Sequence, residues 1–359
     1  MTSNHPTIMD DSISSLWDHP AVIAPSNFQF KSLCEWVLNT ALGCGHGCLF
    51  CYVPSTSATK QKAALSDLGV NDPDAQWGQY VFPRPRDEEK FLASLRAAEA
   101  TDRSQLKPDG HRCVMFCSTT DPYQTIKNAD PKKATRLNKH HREMVRRALE
   151  LIRDYSTLNV RILTRSPLAK TDFDLMKTFG NRLLFGMSLP TLDNQLARIY
   201  EPNAPAPTQR LKTLQEAVEA GIPVYVAVAP TYPECDEADI RSTLTAVEKL
   251  KPCTVFHEPI NMRAENVARI EAHAKSLRKT LKTEVFATSD TWRDYAIDQL
   301  RLVERIAGEV GLGDRLHLWP DKDLTNPKYL ETMDDPTGFV HWLNKKWTRV
   351  SEWPGDAGL

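Results

Sequence analysis

The stretch Gly43-Cys44-Gly45-His46-Gly47-Cys48-Leu49-Phe50-Cys51-Tyr52 constrains this chain more than any other. Three cysteines fall within eight residues in a C-x3-C-x2-C spacing, with glycines between the first two. Thiols this close can hold a metal centre, yet they leave a four-ligand one incomplete. A structural zinc would take its remaining ligand from elsewhere. Cys113 and Cys117 could serve, but they fall in and at the end of another expected strand. A c-type haem needs C-x-x-C-H, and Tyr52 follows Cys51 instead. An iron–sulfur cluster is held by thiolates, and three of them on a cubane leave the fourth iron open.

With 359 residues, 41% of them hydrophobic and 25% charged, the chain can bury a large core as one barrel-type domain or two ordinary ones. Its net charge of −1 leaves no global electrostatic footprint for nucleic acid or a membrane. Eight cysteines, clustered rather than spaced as a framework, fit a reducing compartment with metal or redox chemistry. The first residues show no basic-then-apolar signal, and nowhere do 18 apolar residues run together. The expected location is cytoplasmic, with no membrane partner.

Short apolar runs alternate with amphipathic segments from about residue 33 onward. Strands are expected over 33–42, 112–117, 160–163, 183–187, 223–228 and 254–256, with helices over 87–100, 136–154, 172–178, 209–220 and 237–250. Residues 54–85 read as irregular. Strand–helix alternation repeated this way implies a parallel sheet that curls toward a barrel. The expected fold is α/β, a partial (β/α)6 TIM-type barrel with a C-terminal extension. Three regions follow: a flexible leader over 1–30, the barrel over 31–262, and a helical extension over 263–359 that wraps or closes it. The polar stretches fall at the C-terminal ends of the expected strands, the face on which barrels of this kind build active sites.

The cysteine loop resembles the signature of the radical S-adenosylmethionine (radical SAM) superfamily, C-x3-C-x-aromatic-C, with Cys44, Cys48, Phe50 and Cys51 matching at each position. The segments Trp77-Gly78-Gln79-Tyr80-Val81, Thr120-Asp121-Pro122-Tyr123-Gln124, Thr164-Arg165-Ser166-Pro167 and Glu201-Pro202-Asn203-Ala204-Pro205 further resemble its spore-photoproduct-lyase-like branch, over roughly residues 31 to 260. The resemblance implies a [4Fe–4S] cluster on Cys44, Cys48 and Cys51, with SAM on the open iron. It also implies a low-potential electron donor of the flavodoxin or ferredoxin type, and hydrogen abstraction from an unidentified substrate. Two other readings stay open: repair of a DNA photolesion, which the near-neutral charge does not favour, and a non-catalytic metal-binding, redox-sensing or nucleic-acid-binding protein.

Within that resemblance Phe50 and Tyr52 shield the cluster and approach the adenine, or simply pack the loop. Thr119, Thr120 and Asp121 receive the SAM ammonium group or fix an Asp-Pro turn. Arg165 holds the methionyl carboxylate or is simply a surface ion pair, and Ser188 bonds the carboxylate or ribose. Arg210 pairs with Glu201. Cys117 is a candidate hydrogen-atom donor, displaced by one position from where a repair lyase carries its cysteine; a one-residue shift can turn a side chain into the core. His257 and Glu258, ending the sixth strand, are candidates for proton transfer or substrate contact, with a satisfied core histidine the equal alternative at 257. The basic run 132–147 is a solvated helix face or a polyanion contact.

Overall fold

Runs of β-branched and aromatic residues separated by amphipathic segments build this chain, and each run becomes a strand only a few residues long. The computed structural model describes residues 13–26, 33–263, 265–347 and 351–354. The chain opens with β1 (Ile13–Ser14), β2 (Ile23–Pro25), β3 (Trp36–Leu38) and β4 (Ala41–Gly43). Next come α1 (Lys62–Asp67), β5 (Tyr80–Pro83), α2 (Glu88–Glu99), β6 (Cys113–Phe116) and α3 (Pro131–Tyr155). The alternation continues through β7 (Asn159–Thr164), α4 (Phe173–Met176), β8 (Leu183–Ser188), α5 (Asn194–Tyr200), α6 (Pro207–Glu219) and β9 (Val224–Thr231). It ends with α7 (Glu237–Glu248), β10 (Val255–Pro259), α8 (Asn266–Ser276), α9 (Ser289–Glu309), β11 (Leu316–Leu318), α10 (Pro327–Leu330) and α11 (Pro336–Trp347).

The main sheet has eight strands in the order β11-β10-β9-β8-β7-β6-β3-β2. Neighbours pair in parallel throughout, except that β2 runs antiparallel to β3. The six expected strands are therefore present, in sequence order and unclosed. β11, from the C-terminal extension, pairs in parallel with β10 and makes a seventh. The edges β2 and β11 do not pair with one another, so the extension lengthens the barrel wall without closing it.

Three sequence expectations change. The stretch 33–42 is two strands, β3 and β4, because the chain turns at Asn39 and Thr40 and passes into a second sheet of order β1-β5-β4. The stretch 54–85 is ordered, holding α1 and β5. Within the expected leader, residues 13–26 supply one strand to each sheet, while 1–12 and 27–30 lie outside the described residues.

Alternation sorts each strand's side chains between two cores. Val160 and Ile162 of β7 pack outward under the helices, and Leu163 turns inward against Leu184, Tyr225 and Phe256. Arg161 also turns inward and is fully buried. Its guanidinium lies 5.0 Å from the ring of Tyr225, 5.5 Å from Phe256 and 5.3 Å from Trp353, so the C-terminal segment covers the barrel floor with an aromatic ring. Gly186 of β8 makes room for this layer: a Cβ there would stand 2.3 Å from the Tyr225 ring. Gly186→Ala is therefore expected to lower stability by about 1–3 kcal/mol through overpacking. The check is a lower urea midpoint at unchanged slope; an unchanged midpoint contradicts the packing described.

Candidate active site

The cysteine loop is held by contacts from five directions. β4 pairs with β5 and delivers the chain to Gly43 opposite Val81. Thr120 Oγ1 donates to the Gly43 carbonyl (2.5 Å), Gly45 N donates to Gln124 Oε1 (2.6 Å), and Gln124 Nε2 donates to Thr120 Oγ1 (2.7 Å). The turn after β6 thus braces the loop's first half. Gly47, at φ +55°, lies against Gly78; a Cβ on Gly47 would stand 2.9 Å from the Gly78 Cα, so neither residue has space for a side chain. Leu49 N donates to the Tyr200 carbonyl at the end of α5 (2.9 Å).

The fifth contact comes from α8, far along the chain. Arg269 Nε donates to the Leu49 carbonyl (3.0 Å), Nη2 donates to the Cys51 carbonyl (2.7 Å), and Nη1 pairs with Asp74. Asn266, fully buried, donates to the Asn261 carbonyl (2.7 Å) and more weakly to that of Phe50 (3.5 Å). Three consecutive loop carbonyls are thereby turned outward onto one helix.

Cys44, Cys48 and Cys51 line one cavity. Burial pushes all three thiols up, Cys48 to about 12 and Cys44 well above its ordinary value, and each also feels the charge of a neighbouring cysteine or carboxylate. The guanidinium of Arg165 opposes the rise at Cys48 and Cys51, and backbone N–H groups of His46 and Val53 favour the thiolates of Cys44 and Cys51. Deprotonating these sulfurs therefore calls for a bound cation, as metal ligation supplies. Among the described residues no three His, Cys, Asp or Glu side chains converge on a single ion position. A donor set of three mutually close thiols, approached by N–H groups and one guanidinium, fits a cluster with a separate iron for each sulfur.

Two buried carboxylates hold the rim. Asp121 accepts from Tyr123 N (2.8 Å), Thr164 Oγ1 (2.7 Å) and Arg165 N (2.8 Å), and stands 3.2 Å from His46 Nε2, at an angle short of a directed hydrogen bond. Burial pushes its carboxyl up, but His46 and these donors outweigh it and hold the group down at about 2. Glu201 pairs with Arg210 and with Arg165 Nε (3.1 Å); burial again pushes up, and the two guanidinium groups hold it at about 2. Arg210 also donates to the carbonyls of Pro205 (2.8 Å) and Ser188 (3.1 Å), which makes it the clamp expected from the sequence.

The cavity is open at the C-terminal ends of the strands and holds about 1250 Å³ of unfilled space, counting the part continuous with solvent. Phe50, Tyr52, Thr119, Thr120, Asp121, Arg165, Ser188, Cys117 and Glu258 all line it. Their free polar groups are fewer than the sequence suggests. The Thr120 hydroxyl is spent on the loop, the Ser188 hydroxyl donates to the Ala229 carbonyl (2.7 Å), and Asp121 is engaged by its neighbours. Thr119 donates through its backbone to Asn39 Oδ1 (3.1 Å). Arg165 lies 5.5 Å over the Phe50 ring and commits Nε to Glu201, leaving its two Nη groups without a partner among the described residues.

His257 does not join this group. It shares the outward face of β10 with Val255, fully buried, its Nδ1 2.9 Å from the Val228 carbonyl, and burial pushes it down to about 4. The one-residue alternation of a strand puts Glu258 in the cavity and its neighbour in the outer core. Cys117 avoids that outcome. It follows β6 two residues beyond the inward-facing Met115, at φ +62°, and stays on the same face, on the cavity wall. Its Sγ lies 3.1 Å from Thr40 Oγ1, which is 2.8 Å from His141 Nε2, and burial pushes the thiol up to about 12. Sequence reasoning missed His46, Asn266 and Arg269. The first sat inside the motif as an apparent spacer, and the other two carry no local signal.

The radical SAM superfamily model matches residues 38–247, more than half of the chain. An uncharacterized protein of Acidianus two-tailed virus is 30% identical over 266 residues, covering 70% of this chain and 79% of that protein. An uncharacterized protein of Methanocaldococcus jannaschii is 22% identical over 232 residues, covering 64% and 72%. Among solved structures, spore photoproduct lyase complexed with dinucleoside spore photoproduct matches with a TM-score of 0.58 at 14% identity, over 86% of this chain and 81% of that one. A mutant of the same lyase with bound AdoMet and dinucleoside spore photoproduct matches at 0.55 and 14%, over 82% and 79%. At such identities the likeness is one of fold.

Arg269→Gln removes two charge-assisted bonds and leaves Asp74 uncompensated. The cluster-free chain is expected to lose about 2–3 kcal/mol of stability, with faster amide exchange at Leu49, Phe50 and Cys51. Denaturant unfolding and hydrogen exchange check this; Arg263→Gln, on the same side of the molecule but off the loop, is the comparison.

Proposed function

The chain belongs to the radical SAM superfamily, and on that premise we propose that Cys44, Cys48 and Cys51 hold its cluster at the open end of the barrel. The protein is an enzyme, and its cofactors are those of the family, a [4Fe–4S] cluster and SAM. Bound together and reduced by one electron, they supply a 5′-deoxyadenosyl radical for hydrogen abstraction. The protein's own part is to bind, orient and exclude solvent. The carrying observation is that three thiols, six strand-end segments and one cavity coincide.

Each rim residue then has a physical task. Arg165, with two unengaged Nη groups and a position beside Cys48, holds the methionyl carboxylate. Glu201 fixes that guanidinium and is itself neutralised by Arg210, so the pair orients Arg165 without adding net charge to the cavity. Asp121 keeps the cluster loop and the end of β7 in register through His46, Thr164 and the Arg165 backbone. Phe50 backs the Arg165 guanidinium and packs 5.9 Å from Tyr232, closing the loop's inner side. Tyr52 and Trp77 line the cavity beside it and keep it apolar. Residues 38–262 carry this machinery, and 263–354 support it from outside through Arg269 and Asn266.

A second reading, a lyase that returns hydrogen to its product, is favoured by Cys117. A thiol on the cavity wall, held neutral by burial and oriented by Thr40, is a hydrogen-atom donor in waiting. The fold likeness to spore photoproduct lyase points the same way. A DNA lesion as substrate finds less support: Arg165 is the only Lys or Arg among the residues lining the cavity, and its free Nη groups are assigned here to SAM. A neutral or compact substrate suits these walls better than a polyanion.

Anaerobic reconstitution is expected to give about four irons per chain, with release of 5′-deoxyadenosine from SAM under dithionite. Cys48→Ala is expected to lose both. Tightly bound zinc with no SAM cleavage would sink the enzyme assignment of these cysteines. Cys117→Ser separates the two readings: if the thiol returns hydrogen, SAM cleavage persists while normal product gives way to trapped or aberrant product. Equal product from wild type and variant removes the lyase reading.

A further inference from the structure

The C-terminal end of α8 and the turn after it form a block of positive charge. From His273 to Thr283 the sequence has Lys275, Arg278, Lys279 and Lys282 and no acidic residue. All four are exposed, and none is ion-paired to a described residue. Some cations elsewhere are neutralised, as Arg147 is by Glu88 and Arg305 by Glu237, while Lys132, Arg136 and Arg142 on α3 are exposed and unpaired among the described residues as well. Leu277, in the middle of the block, keeps 45% of its surface exposed. α5 packs beside α8 and adds the exposed Arg198.

One residue, Tyr200, joins this block to the cysteine loop. Its carbonyl accepts from Leu49 N (2.9 Å). Its hydroxyl donates to Glu234 Oε2 (2.7 Å), and Glu234 Oε1 accepts from Lys282 N (2.7 Å). The Tyr200 ring stacks on Tyr232 at 4.0 Å and 4°, and Tyr232 lies against Phe50. α8 makes a second link, because Arg269 grips the Leu49 and Cys51 carbonyls and Lys275 follows about 9 Å further along the helix. The basic face of α3 (Lys132, Arg136, Arg142) has no hydrogen bond to residues 43–52 among the described residues.

We propose that the α8 block docks an acidic one-electron carrier protein, and that the electron enters the site through the Tyr200–Leu49 contact. The inference rests on the assignment of Cys44, Cys48 and Cys51 to the cluster. Unpaired cations steer and orient an acidic partner, and an exposed leucine among them provides an apolar point of contact. One electron leaves the carrier's reduced flavin or iron–sulfur centre, which is oxidised by one unit. The cluster on the three cysteines is reduced by one unit, and no bond or proton moves. A docking face away from the cavity mouth leaves the mouth free for substrate while the electron is delivered from the side.

The test uses a bacterial flavodoxin as probe. Its binding to the full chain is measured by calorimetry at low and high salt, and SAM cleavage is measured with reduced flavodoxin and, separately, with dithionite. Lys275→Glu with Lys279→Glu is compared with Lys132→Glu with Arg136→Glu on α3. The α8 reversal is expected to weaken binding about tenfold or more and to slow flavodoxin-driven cleavage by a similar factor. Dithionite-driven cleavage should stay within about twofold, and wild-type affinity should fall with salt. No measurable wild-type binding, an α8 reversal without effect, a larger effect from α3, or an equal loss with dithionite each overturns the proposal. If the wild type fails to cleave SAM with dithionite, the cysteine assignment fails instead, and binding to the cluster-free chain still decides the docking face.

Discussion

A buried carboxylate, Asp121, ties together three segments at the rim of the cavity. It sits in the turn after β6, faces His46 in the cysteine loop, and accepts the Thr164 hydroxyl and the Arg165 backbone from the end of β7. An uncompensated charge at that depth would cost several kcal/mol, so every partner must be in place for the fold to hold its ionised form. The consequence is positional. The loop that carries the thiols and the strand end that carries Arg165 are locked in one geometry before any ligand arrives.

Glu201 extends the same logic one strand further. Its two oxygens serve Arg165 and Arg210, and Arg210 returns to the Ser188 carbonyl at the end of β8. The rim from the cysteine loop through β8 is therefore a chain of buried ion pairs and hydrogen bonds. Such networks stabilise little relative to an apolar core, but they specify one arrangement when fully satisfied. Arg269 does from outside the barrel what Asp121 does from within. By taking the Leu49 and Cys51 carbonyls it turns the peptide planes so that the sulfurs face the cavity.

The site that results is apolar, nearly neutral and short of spare donors. The Thr120 and Ser188 hydroxyls and the Asp121 carboxylate are engaged by the protein itself, while the Arg165 Nη groups have no partner among the described residues and the Cys117 thiol on the wall is bonded to Thr40. Reactive radicals need such an environment: few exchangeable protons, little water, and contacts that position a substrate without reacting with it.

The cysteine trio, the parallel strand order and the gathering of polar residues at strand ends were legible in the sequence, because spacing and periodicity are local properties. The loop's backing by Gly78 was visible only as a motif; its reason, two glycine backbones in contact, is a distance between chain segments. The split of residues 33–42 into strands of two sheets was hidden, since both halves are equally apolar. Which of His257 and Glu258 enters the cavity depends on register, and so does the entry of Cys117, which continues the inward face of Cys113 and Met115. Arg269 lies more than two hundred residues from the carbonyls it holds, so no local pattern could announce it. The sequence alone determined which chemistry this protein can carry. The tertiary structure decided which side chains reach it, because facing and long-range pairing are set by strand register and packing.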